Sequence, residues 1–274
     1  MQPDTLFDVS REVVVITGAL GQLGSAYASE FLARGARVAV CDLPGMQDKF
    51  ERRFGQQGGA GRAIYVPIDI TDETSVAQAG RAIREAFGTP SVLVNNAAID
   101  TPPDVAAGAD TGPFEKFPIA VFEKVLKVNV TGTMICCQAF GGMMVADGRG
   151  SIINIGSIYG MLSPDQSLYE YRRRAGDEFF KPVAYSVSKS AIYNLSRYLA
   201  AYWAKKGVRV NTLTLAGVHN NQDAQFLDAY TSRIPMGRMA APTDYLGAVV
   251  FLASDASRYM TGANLVVDGG WTVI

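Results

Sequence analysis

Hydrophobic residues along this chain collect into short unbroken runs separated by longer amphipathic stretches. Residues 13–16, 38–41, 63–67, 92–94, 151–155, 208–215 and 264–267 read as strands. Runs such as Val13-Val-Val-Ile16 do not alternate, which suits strands covered on both faces, as in a parallel sheet. The intervening stretches read as helices. One covers 25–34, with Tyr27, Phe31 and Leu32 near one face and Gly35 as its stop. Another is capped by Thr71 or Asp72 and runs to Phe87. A third spans 119 to about 144, and a fourth runs from Pro182 to Lys206 with Gly207 as its C-cap. The last covers 242–254. Strand alternating with helix predicts an α/β fold, a doubly wound parallel sheet with helices on both faces. No repeat, low-complexity tract or linker divides residues 1–274, so a single domain is expected.

Composition narrows the class. The chain has 274 residues, of which 48% are hydrophobic and 19% charged, the balance of an ordinary globular protein. Lys and Arg number 25 against 26 Asp and Glu, leaving a net charge of −1. Such a balance produces no global field to attract nucleic acid or anionic lipid. Cys41, Cys136 and Cys137 are an odd set with two adjacent members, not a disulfide framework, and a reducing compartment fits them. The N-terminus carries acids where a signal peptide needs bases, and no apolar stretch approaches the ~18 residues of a membrane span. A cytoplasmic protein is expected. No His, Cys or carboxylate cluster has metal-ligand spacing, so no metal is expected.

Between the first strand and first helix lies Thr17-Gly-Ala-Leu-Gly-Gln-Leu-Gly24. A glycine turn there lets backbone approach a pyrophosphate, while the helix N-terminus supplies free N–H groups and a positive dipole. Asp42 stands at the tip of the second strand. A carboxylate in that place accepts hydrogen bonds from both adenosine ribose hydroxyls and repels a 2′-phosphate. Leu43 follows it rather than a cation, so NAD(H) is expected over NADP(H). The plainer alternative makes Asp42 a turn acid.

Tyr185 and Lys189 stand at i and i+4 of one helix, on a shared face. An ammonium beside a phenol favours the phenolate and draws the phenol's pKa toward neutrality, where it can pass protons. Together with Thr17-Gly18, Gly24, Asp42, Asp69-Ile70, Asn95-Asn-Ala-Ala98, Asn129, Ser157 and Val266-Val-Asp-Gly-Gly270, this pair resembles the short-chain dehydrogenase/reductase family in its single-domain branch. The resemblance runs nearly end to end and implies a Rossmann-type fold. It also implies that Tyr185 is the general acid/base, Ser157 holds the substrate oxygen, and Lys189 binds the nicotinamide ribose and lowers the Tyr185 pKa. Asn129 then anchors a water that connects Lys189 to solvent. Gly18, Gln22, Leu23, Gly24, Asp42 and Leu43 would contact the cofactor, with Asp69 and Ile70 beside adenine, Asn95 and Ala97 on the adenosine side, and Val218 at the carboxamide.

Several positions depart from that pattern. The middle glycine is Gly21 where the single-domain branch has it at the place of Gln22; this spacing is closer to the extended branch of sugar-nucleotide enzymes. Too little chain follows Tyr185 for that branch's second domain. Ala216-Gly217 replaces the usual Pro-Gly. The gap between Ser157 and Tyr185 is far longer than usual, an insertion at about 160–182 that must lie at the mouth of the site. It carries Tyr169, Tyr171, Phe179 and Phe180 with the run Arg172-Arg173-Arg174 and Lys181. Those arginines could grip a phosphate or carboxylate by bidentate hydrogen bonds, or form a solvated turn or subunit contact. Residues 156–170, Tyr159 among them, further resemble a subgroup tied to bacterial surface-sugar and flagellin modification, implying a sugar-like substrate. His219, the only histidine, falls near the substrate as a loop residue without a required proton role.

The expected activity is therefore NAD-dependent interconversion of a secondary alcohol and a ketone on a polar, sugar-like or anionic small molecule. Two alternatives remain: a sugar-nucleotide lyase or isomerase that recycles bound NAD, and a catalytically silent NAD-binding regulator. Apolar Leu265, Val266, Trp271, Val273 and Ile274, read beside the family's habit of pairing this region, imply a homodimer or homotetramer.

Overall fold

The computed structural model describes residues 5–108 and 110–274; the first four residues of the N-terminal reading lie outside them. Seven strands form one parallel sheet: β1 (Val13–Thr17), β2 (Arg37–Asp42), β3 (Ala63–Pro67), β4 (Val92–Asn95), β5 (Gly150–Ser157), β6 (Val208–Leu215) and β7 (Asn264–Val267). Their order is β3-β2-β1-β4-β5-β6-β7, and every pairing is parallel. The chain starts in the middle, winds outward to β3, then returns to β4 on the other side of β1. That reversal opens a crevice at the carboxyl ends of β1 and β4, where open α/β sheets bind ligands.

Side chains along each strand point alternately to the two faces, which gives the sheet two cores. Val14 and Ile16 face one, with Tyr27 and Phe31 of helix α1 (Gln22–Ala33) and Val249 and Leu252 of the helix Leu246–Ala253. Val13 and Val15 face the other, with Ile83 of Glu73–Phe87, Phe140 of the long helix Ile119–Asp147, and Trp203 of Val183–Trp203. The expected strands all form. Ile119–Asp147 is long and apolar enough to cross a membrane by length and composition, but its apolar side covers the sheet.

Differences from the sequence reading have local causes. Helix α1 begins at Gln22, inside the glycine turn, with extended Gly21 as N-cap. Asp72, not Thr71, caps the third helix, accepting from the Thr74 N–H at 2.8 Å. Pro242–Tyr245 is a 3-10 turn leading into Leu246–Ala253. Residues Lys127–Gly132 and Cys137–Gly141 widen to π-helix, a deformation common beside functional sites. The helix Gln47–Gly59 had no counterpart in the sequence reading; it buries only Phe50 and Phe54, one turn apart.

A third apolar cluster lies beyond the strand tips. Tyr159, Leu168, Tyr169 and Phe179 from the 160–182 region and its approach meet Phe226 and Tyr230 of the helix Ala224–Thr231. It roofs one side of the crevice.

Candidate active site

The glycine turn forms the crevice floor. Gly18 has φ +62°, and a Cβ there would lie 2.9 Å from the Ala97 Cα; a Cβ on Gly24 would meet the Gly18 carbonyl oxygen at 2.3 Å. Only glycine lets strand, turn and helix close this tightly. Thr17 Oγ1 accepts from the Asn96 and Ala97 N–H groups, both at 3.1 Å, fixing the β1 tip against the β4 tip.

Two cavities open from this floor and share Asn96 and Ala98. The first, about 390 Å³, is lined by Gly18, Asp42, Leu43, Asp69, Ile70 and Ala97, as expected for an adenosine site. Asp42 accepts from the Leu20 N–H at 2.8 Å and the Leu43 N–H at 2.9 Å, which orients its carboxylate at the rim. Asp69 is held by Thr71 through its N–H and hydroxyl. Lys49, on the unforeseen helix, lines the same wall.

Asn95 is a correction. Its amide is buried, donating to Asn154 Oδ1 at 2.8 Å and Cys137 Sγ at 3.3 Å, and it lines neither cavity. Its neighbour Asn96 lines both. The Asn96 amide donates to the Thr17 and Gly18 carbonyls at 3.0 and 3.1 Å. Gly24 likewise supports the turn without reaching either cavity wall.

The second cavity, about 420 Å³, is lined by Gln22, Leu23, Ser157, Tyr159, Tyr185, Lys189 and Val218. Ser157 ends β5 and caps the short helix Ile158–Met161, accepting from the Tyr159 N–H at 3.2 Å. Tyr185 lines the same wall, close enough for Ser157 to pull its phenol pKa down against the larger effect of burial. Lys189 donates to the Ile155 carbonyl at 2.7 Å, with Nζ 5.8 Å from the Tyr185 ring centre. The Asn129 amide is spent on Ile99 N–H, Ile99 C=O and Ser188 Oγ at 2.8, 2.9 and 3.0 Å. It ties the π-widened helix to the loop after β4 and to the tyrosine's helix. The Gln22 amide crosses the crevice mouth to the His219 carbonyl at 2.7 Å.

The electrostatics depart from the expected pairing. Burial pushes the Tyr185 phenol up, and the Asp100 carboxylate adds to the rise; the Ser157 hydroxyl opposes them. Lys189 is not among the groups that shift the phenol; burial pulls its own amine down to about 8, so it still carries its charge at neutral pH. The phenol is therefore protonated through the neutral range.

The three arginines line neither cavity. Arg172 is buried, donates to Asp177 Oδ2 at 2.7 Å and to the Pro103 and Val105 carbonyls, and lies 4.0 Å over the Phe179 ring. Arg173 binds the Phe179 and Gln166 carbonyls at 3.0 and 2.8 Å, and Arg174 pairs with Glu170 in solvent. None lines the cavity, and exposed His219 stands outside it as well. Instead the insertion supplies Tyr169 and Lys181, opposite Asp100. Among the described residues, no group of His, Cys, Asp or Glu could hold a metal.

A family model described as Enoyl-(Acyl carrier protein) reductase matches residues 18–272. The chain belongs to the short-chain dehydrogenase/reductase family. It is an oxidoreductase acting on CH–OH groups. It is 34% identical over 273 residues to the D-threitol dehydrogenase of Mycolicibacterium smegmatis, covering 97% of this chain and 95% of that one. A short-chain dehydrogenase from Leptospira borgpetersenii with bound NAD+ is similar at TM-score 0.79 and 31% identity, with coverage of 95% and 92%. A gluconate 5-dehydrogenase from Burkholderia cenocepacia, in complex with NADP and tartrate, is similar at 0.84 and 27%, covering 98% of each chain. A nicotinamide cofactor thus belongs to this short-chain dehydrogenase, and relatives differ over which one.

Proposed function

We propose that this short-chain dehydrogenase oxidises a secondary alcohol of a small polyhydroxylated molecule to the ketone with NAD, and carries out the reverse reduction. The observation carrying this reading is the gathering of Ser157, Tyr185 and Lys189 on the wall of the second cavity. The glycine floor and the adjoining first cavity fit a dinucleotide. Gly18, Asp42, Asp69, Ile70, Ala97 and Asn96 would hold its adenosine part, and Gln22, Leu23, Val218 and Lys189 its nicotinamide part. When bound, the nicotinamide ring supplies the hydride acceptor or donor.

The chain's own residues do the rest. Ser157 holds the substrate oxygen by hydrogen bond, and Tyr185, protonated at neutral pH, gives that oxygen its proton in ketone reduction. In alcohol oxidation Tyr185 must first lose its proton, so oxidation speeds up as pH rises. Asn129 is a positioning residue, holding the helices that carry Tyr185 and Lys189 in register. The preference for NAD rests on Asp42, whose charge opposes a 2′-phosphate; Lys49 on the same wall works against it. The relation to D-threitol dehydrogenase favours a free polyol over the surface-sugar substrates of the sequence reading. Exposed Val273 and Ile274, with half-open edge strand β7, favour pairing into a homodimer or homotetramer.

Incubation with D-threitol and NAD+ tests this reading. Cofactor reduction accompanied by a ketose product is expected. Absence of cofactor reduction across a panel of polyols and simple secondary alcohols contradicts it.

A further inference from the structure

The insertion brings one charged group into the reaction cavity, and it comes with a partner. Lys181 is 5% exposed, and its ammonium sits 2.7 Å from both Asp100 carboxylate oxygens and 2.7 Å from the Thr101 carbonyl. Those three acceptors use all three of its N–H donors. The lysine has nothing left to offer a ligand. Asp100 is different: its side chain is 38% exposed, it lines the cavity, and each carboxylate oxygen has accepting capacity beyond the one bond it makes to Lys181. Lys181 Nζ also lies 5.3 Å from the Tyr185 ring centre, so the pair stands beside the group that handles the substrate oxygen.

We infer that Asp100 is a specificity-determining residue that accepts hydrogen bonds from substrate hydroxyls next to the reacting carbon, and that Lys181 is the positioning residue that fixes it. This deepens the proposed activity and rests on it. An acceptor-only carboxylate selects a ligand rich in O–H donors and repels a carboxylate or phosphate at the same spot. The charge of Lys181 tempers that repulsion, but with no arginine on the cavity wall and both lysines donating to protein oxygens, no described cation on the wall is left to pair with an anionic substrate. The site therefore takes neutral vicinal diols and polyols in preference to sugar acids. A substrate lacking that hydroxyl displaces water from the half-exposed carboxylate without replacing its hydrogen bond, and so binds less well.

The test compares kcat/KM for D-threitol, tartrate and 2-butanol in the wild type and in Asp100→Asn. The expected wild-type order is D-threitol first, with tartrate far behind. Asp100→Asn is expected to lower the D-threitol to 2-butanol ratio about tenfold or more, mostly through KM; taking the ratio cancels the change in Tyr185 proton affinity, which falls on both alcohols alike. The substitution also narrows the gap to tartrate. Lys181→Met should move the same ratio in the same direction, and Lys181→Arg should restore part of it. Should Asp100→Asn fail to fold around an unpaired lysine, the double variant Asp100→Asn/Lys181→Met carries the comparison without a buried lone charge. A ratio within twofold of wild type in a folded variant overturns the inference, leaving the pair as a loop staple. A wild type that prefers 2-butanol overturns it too, yet leaves the dehydrogenase reading standing. A wild type inactive on every alcohol overturns both.

Discussion

The two cavities that share Asn96 are built by different means. The first is made of backbone: a glycine turn, strand tips and a carboxylate oriented by two N–H groups. The second is made largely of side chains from the loop after β4, the β5 tip, the tyrosine's helix and the segment after β6, with Tyr169 and Lys181 added by the insertion and held by contacts distant in sequence. Arg172, for example, binds carbonyls 67 and 69 residues away. Backbone geometry restricts which residues can occupy a position, so the first cavity leaves a mark in the sequence. A wall of side chains leaves almost none, and it can be rebuilt for a new substrate without touching the floor.

Substitutions that separate the two regions sharpen this contrast. The largest effect is expected at Arg172→Met, which leaves Asp177 and two backbone carbonyls without their donor. It should cost about 3 kcal/mol of stability and loosen substrate binding, while NADH affinity stays near wild type; denaturant melts and cofactor titration check both. An equal loss of NADH affinity would mean that the two regions are not separable.

Lys189 stands where the regions meet, and its prediction is one of pH. Its folded pKa, about 8, lies below the ordinary 10.5, so the unfolded chain binds the extra proton between those values. Burying the charged amine costs about 3 kcal/mol below pH 8, and that cost fades as pH rises toward 10.5. Stability of the wild type relative to Lys189→Met should therefore increase with pH across that window. A flat difference in melting temperature would contradict the assigned burial.

Asp42→Asn removes the charge at the first cavity's rim. A shift of about tenfold in kcat/KM from NAD toward NADP is expected, about 1.4 kcal/mol. Arg174→Met is the smallest: its ion pair with Glu170 is solvent-exposed, so stability should change by less than about 0.5 kcal/mol and KM not at all.

What could be read from the sequence follows the same division. All seven strands, the Asp72 cap and the glycine floor were legible, because unbroken apolar runs and forced glycines report local geometry. The helix Gln47–Gly59 was not, since its buried signal is two phenylalanines one turn apart. Asn95 was misplaced by one residue. At a strand tip one position exchanges the faces, and its register opposite Asn154 of β5 was the clue that Asn96, not Asn95, meets the crevice. The arginines could not be assigned from sequence, because a cation's role depends on which carbonyls the fold places beside it. Asp100 and its pairing with Lys181 went unread for the same reason, since the two meet across 81 positions of chain. The lowered phenol pKa expected from Tyr185 and Lys189 spacing gave way to burial, which the i, i+4 pattern does not report.

The central claim is that the Tyr185 hydroxyl, on the cavity wall it shares with Ser157, passes the proton of the CH–OH reaction. Turnover of D-threitol and NADH binding, measured together in Tyr185→Phe, test it most directly. Loss of about a thousandfold or more in turnover with NADH affinity unchanged is the predicted result. Turnover within tenfold of wild type in a folded, NADH-binding variant would contradict it.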